Sequence, residues 1–110
     1  MESNNLSIEV LYFSDCPSRK ETIKDLNAVL DELALNAEIT LTKVETNADA
    51  ESHKFPGSPT IRVNGQDLFP VNLAAGFALR CRVYQTPYGL KGTPSREMLS
   101  EQISEILNNK

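Results

Sequence analysis

The chain has 110 residues with 11 Lys and Arg against 15 Asp and Glu, a formal charge of −4, and it is 40% hydrophobic and 24% charged. That is the make-up of an ordinary globular domain, so a single domain over residues 1–110 is expected, with one real core and no room for two. No basic cluster invites nucleic-acid phosphate, no apolar stretch nears the roughly 20 residues of a membrane span, and residues 1–5 are not a secretory signal, so the expectation is a soluble cytoplasmic protein with neither nucleic-acid nor membrane partner.

Residues 7–13 (SIEVLYF) are aliphatic, aromatic and β-branched and predict a buried strand. Ser14-Asp15-Cys16-Pro17 breaks that pattern, and Pro17 suits the first helical position, where its missing N–H is not needed. Ile23, Leu26, Leu30 and Leu33 recur at helical spacing, which predicts a helix over 17–35 with Asn36 as its end cap. Residues 38–44 (EITLTKV) alternate and predict a second strand. A short helix over 48–54 is stopped by the prolines and glycine of Phe55-Pro56-Gly57-Ser58-Pro59. Asn64-Gly65, between 60–63 and 66–69, is a strong hairpin signal.

The stretch over about 70–92 is the least legible, and Cys81-Arg82-Val83-Tyr84 is its one candidate strand. The stretch from Leu68 to Leu79, with Phe69, Leu73 and Phe77, is apolar for a connection and suited to an edge cover, a lid or a dimer contact. Thr93-Pro94 then supplies a cap and a first-turn proline for a last helix striped by Leu99, Ile103, Ile106 and Leu107. The predicted order is β-α-β-α-β-β-α with an insertion at about 70–92. The fold class is α/β: a parallel first pair joined by a crossover helix, a hairpin adding antiparallel strands, and helices covering both faces of the mixed sheet.

Two cysteines do not make a disulfide framework, and with His53 as the single histidine no structural metal or cofactor is expected. Cys16 lies where the first strand hands over to the predicted helix, in reach of free backbone N–H groups and the positive helix end, with Arg19 and Lys20 adding positive charge. Those conditions lower a thiol pKa and make a nucleophile. The alternative is a small apolar residue under a loop; the polar Ser-Asp-Cys-Pro-Ser-Arg turn favours the reactive one. Cys81 either meets Cys16 as a resolving thiol or points into the core. His53, in a polar run, reads as a surface residue, Tyr12 and Phe13 as core or site-lining aromatics, and Arg80 and Arg82 as residues that face water more readily than they tune Cys81.

Strand, Cys16-Pro17-Ser18-Arg19, long helix and then Ser58-Pro59-Thr60 before a hairpin resemble the thioredoxin-like superfamily over nearly the whole chain. Within it, Tyr12-Phe13, Cys16-Pro17, Phe55-Pro56-Gly57-Ser58-Pro59-Thr60 and Cys81-Arg82 are similar to small bacterial thioredoxin-like or alkylmercury lyase-like proteins. The resemblance implies a cis peptide before Pro59 and a site built from Cys16, Cys81, Pro17, Ser18, Arg19, Ser58, Pro59 and Thr60. The backbone beside Pro59 would then pair with an extended peptide or a small thiol such as glutathione. The superfamily's motif is Cys-x-x-Cys or Cys-x-x-Ser, whereas Ser18 and Arg19 hold the third and fourth positions here. Organomercurial lyases place an acid three residues after the first cysteine; here Arg19 stands there and Asp15 precedes the cysteine. Three functions follow: a thiol-dependent oxidoreductase with Cys16 attacking and Cys81 resolving, a non-catalytic binding module, or soft-metal or organomercurial handling by the two thiols.

Overall fold

A computed structural model of the chain describes residues 5–13, 19–69 and 82–108. Among them lie nine elements: β1 (Asn5–Tyr12), α1 (Arg19–Glu32), β2 (Asn36–Lys43), α2 (Asn47–Ser52), β3 (Thr60–Val63), β4 (Gln66–Asp67), β5 (Tyr84–Thr86), β6 (Gly89–Lys91) and α3 (Arg96–Asn108). Four strands form a mixed sheet in the order β2-β1-β3-β4, with β1 parallel to β2 and antiparallel to β3, and β4 closing the hairpin on β3. The α/β class and the parallel first pair are as expected. No helix among the described residues is long and apolar enough to cross a membrane.

The period-2 pattern of β1 divides the molecule. Leu6, Ile8 and Val10 join Ile61 and Val63 of β3 in a core closed by Leu26, Val29 and Leu30 of α1 and by Leu99 and Ile103 of α3. Leu11 points the other way, into a smaller cluster with Val44, Ala50 of α2 and Phe55, against which Phe13 packs. Helices were expected to cover both faces, and they do so unequally: α1 and α3 share one face, joined by Arg96 Nε on Asp25 at 2.9 Å and by the Thr22 hydroxyl donating to Thr93 Oγ1 at 2.8 Å. On the other face α2 shields the Leu11 end, while the rest carries Glu9, whose carboxylate accepts from the Thr42 hydroxyl, and Arg62, which sits opposite Glu9 in register.

Local chemistry sets the element ends, with three corrections. The first helix does not end on Asn36, which opens β2. It ends in a Schellman motif: Ala34 takes φ 56°, its N–H donates to Asp31 O (3.1 Å), and the Leu35 N–H donates to Leu30 O (3.0 Å), with Leu35 packing on the core that contains Leu30. The last helix is capped by Ser95, whose Oγ accepts from the Met98 N–H at 3.2 Å, so the predicted Thr93-Pro94 start lies just outside it. Strand β5 begins at Tyr84, not Cys81, and pairs with β6 in a separate two-stranded sheet that the predicted order lacks. The hairpin at Asn64-Gly65 forms as expected, with φ of 53° and 89°. Asn64 also docks on β1, its N–H donating to Ser7 O (2.7 Å) and its Oδ1 accepting the Ser7 N–H (3.1 Å).

Candidate functional site

Because β3 runs antiparallel to β1, with Thr60 opposite Leu11, the end of β1 meets the segment leading into β3. There the Phe13 N–H donates to Ser58 Oγ at 3.2 Å, and the Ser58–Pro59 peptide is cis. Ser58 and Thr60 are both fully buried, and the Thr60 hydroxyl turns back to donate to Gly57 O. Beyond Phe13 the chain runs through Cys16, Pro17 and Ser18, which lie outside the described residues, and re-enters them at Arg19. The Arg19 guanidinium stands 4.5 Å over the Tyr12 ring, so the described residues on either side of 14–18 are held together by a cation–π contact.

Cys81 is likewise outside the described residues, but its neighbour Arg82 is not. Arg82 was expected to face water; it is 7% exposed. Its N–H donates to Ser58 O at 2.7 Å. Its side chain donates to Asp67 Oδ2 (3.2 Å) and Oδ1 (3.4 Å), to Thr60 Oγ1 (3.4 Å) and to the Phe69 carbonyl (2.5 Å). A buried guanidinium needs partners for its fan of donors, and Asp67 supplies the compensating charge. The same guanidinium lies 4.7 Å over the Tyr84 ring, which meets Phe69 edge-on with 5.5 Å between centroids. The Tyr84 hydroxyl donates to Pro59 O at 2.5 Å.

Of the residues expected at the site, Ser58, Pro59 and Thr60 therefore lie at one end of the sheet, and Arg19 packs on Tyr12 at the end of β1, while Cys16, Pro17, Ser18 and Cys81 lie outside the described residues. The backbone carbonyls at 58 and 59, expected to be open to a substrate strand, are already bonded to Arg82 and Tyr84. The roles of Asp67 and Tyr84 carry no local signal, because they depend on contacts made across 15 and 25 positions. His53 is exposed, as its polar setting predicts; its carbonyl and that of Lys54 accept from Arg62 Nη2 just past the end of α2. Among the described residues no group of three or more His, Cys, Asp or Glu side chains could hold a metal ion.

A concavity of about 500 Å³ opens between α1, the β5–β6 turn and the start of α3; within its lining Arg96 pairs with Asp25, and Glu97 accepts from the Tyr88 hydroxyl at 2.6 Å. Its lining contains none of Phe13, Ser58, Pro59, Thr60 or Arg82. Comparison of the chain with protein-family models, with curated proteins and with solved structures finds no match.

Proposed function

We propose that the chain is a thioredoxin-like, thiol-dependent oxidoreductase in which Cys16 is the attacking thiol and Cys81 resolves the intermediate. The observation that carries this reading is the double engagement of Ser58. Its Oγ takes the N–H of Phe13, three positions before Cys16, and its carbonyl takes the N–H of Arg82, one position after Cys81. At roughly 3.5 Å per residue, chain connectivity limits Cys16 to within about 11 Å of Phe13 and Cys81 to within about 4 Å of Arg82, which supports a shared site for the two thiols. The strand order β2-β1-β3-β4, with β1 and β2 parallel, and the cis peptide before Pro59 support the same reading.

In the reaction the Cys16 thiolate attacks one sulfur of a substrate disulfide. The new Sγ–S bond forms as the old S–S bond breaks, and the leaving thiolate takes the electron pair and later a proton from water. The Cys81 thiolate then attacks Cys16 Sγ, which releases the second substrate thiol and leaves a Cys16–Cys81 disulfide for an external thiol to reduce. Arg19 and Lys20 add positive charge close in sequence to Cys16, which favours its thiolate.

The test is the pH dependence of alkylation at each cysteine, read by mass spectrometry in the wild type, Cys16→Ser and Cys81→Ser. A Cys16 midpoint at or below about pH 7, against about 8.5 for a free thiol, is expected, with a shift when Cys81 is replaced. A midpoint at the free-thiol value, or labelling only upon unfolding, would leave the domain as a non-catalytic binding module.

A further inference from the structure

The edge of β3 carries an occupant supplied by the chain itself. Strand β4 ends at Asp67, opposite Arg62, and the last rung of that hairpin is the Leu68 N–H on Ile61 O at 2.8 Å. Residues 58–60 run past this rung, and a sheet edge left bare there is what an extended peptide needs in order to add a strand. Arg82 and Tyr84 fill it, the first by its N–H on Ser58 O and the second by its hydroxyl on Pro59 O. The segment is latched: the Arg82 side chain is buried among Asp67, Thr60, the Phe69 carbonyl and the Tyr84 ring. An incoming peptide would regain a backbone hydrogen bond or two, but would have to break these and unseat a buried guanidinium from Thr60, Asp67 and the Phe69 carbonyl.

We infer that the thiol site of this chain excludes extended polypeptides and takes small thiols, disulfides and soft electrophiles, because the Arg82–Tyr84 segment occupies the strand position a polypeptide would need. This rests on Cys16 being the reactive thiol proposed above. Small compounds need only the sulfur to reach Cys16 and make no demand on the β3 edge.

Two probes with the same leaving group test it on the full reduced chain: the thionitrobenzoate mixed disulfide of 2-mercaptoethanol and that of an extended peptide bearing one cysteine. In both, the Cys16 thiolate attacks the alkyl sulfur, a bond to Cys16 forms as the bond to thionitrobenzoate breaks, and the released thionitrobenzoate anion takes the electron pair and is read by its absorbance. Rates are corrected with Cys16→Ser and normalised to those of N-acetylcysteine with the same probe. The expected result is a normalised rate at least about tenfold lower for the peptide probe, the scale of one or two hydrogen bonds that cannot be exchanged. Arg82→Ala, and more mildly Tyr84→Phe, should raise the peptide rate towards the small-probe rate. Equal normalised rates in the wild type overturn the inference and leave the thiol reading intact, and this comparison needs no variant to fold. A peptide rate that stays low in a folded Tyr84→Phe and Arg82→Ala protein also overturns it. If neither probe reacts faster with the protein than with N-acetylcysteine, the thiol reading falls and the inference with it.

Discussion

Single side chains set two measurable properties away from the thiols. Ala34 holds the left-handed position that ends α1, at φ 56°, where a Cβ costs about 1–2 kcal/mol and glycine costs almost nothing. Ala34→Gly should therefore raise stability by about 1 kcal/mol after the extra unfolded-state entropy of glycine is counted, seen as a higher urea midpoint at unchanged slope. The second property is the titration of Tyr88. Its hydroxyl donates to Glu97 Oε2, and this hydrogen bond, then the carboxylate charge, lifts the phenol above its ordinary 10.0. The same bond holds Glu97 below its ordinary 4.5. The Glu97 contribution to stability is present above 4.5 and fades as pH falls through the lowered value; the Tyr88 contribution is present below 10.0 and fades as pH rises through the raised one. Both groups are exposed, so the pair is better read by titration than by stability. In Glu97→Ala the tyrosinate absorbance of one of the three tyrosines should shift to lower pH; an unchanged curve would mean that the pair does not form in solution.

Among the elements, what the sequence made legible was local and what it hid was long-range. The β1, α1 and β2 patterns and the Asn64-Gly65 turn each depend on periodicity or on a two-residue signal, and all four appear. Caps slipped by one or two positions because several residues near each end could serve. Thr93, Pro94 and Ser95 are all plausible at the start of α3, and only the Ser95 Oγ bond to the Met98 N–H decides. Ser95→Ala should accordingly cost about 1 kcal/mol, whereas Thr93→Ser, which keeps the hydroxyl that meets Thr22, should cost less, with thermal unfolding as the measurement. The β5–β6 hairpin escaped notice because strands of three residues show no period; its turn is held by Thr86, which donates to Gly89 O and accepts the Tyr88 N–H. Arg82 read as solvent-facing because nothing near it in sequence foretells Asp67, so the latch beside Ser58 came from tertiary structure alone.

Across the whole molecule, the two clusters divide the work of stability and of site support. The larger one, between the sheet and the α1–α3 layer, contains Ile103, and the smaller one, around Leu11, Val44 and Ala50, contains Phe55, which begins the buried run through Thr60. Phe55 and Ile103 are both fully buried, so trimming either lowers global stability: about 1 kcal/mol for Ile103→Val, and about 1–2 kcal/mol for Phe55→Leu, a fraction of the 3–5 typical of a full Phe→Ala truncation. Their local consequences should differ. Phe55 is three positions from Ser58, so loosening its cluster should loosen the carbonyl and hydroxyl that receive the Arg82 and Phe13 N–H groups. Ile103 acts from the opposite side of the sheet and has no such connection. Native-state hydrogen exchange separates the two: the amides of Phe13 and Arg82 should exchange faster in Phe55→Leu than its global stability loss accounts for, while in Ile103→Val they should change only by the global amount. Equal acceleration of these two amides in both variants would mean that Ser58 is held by the fold as a whole, and that the smaller cluster gives the site no support of its own.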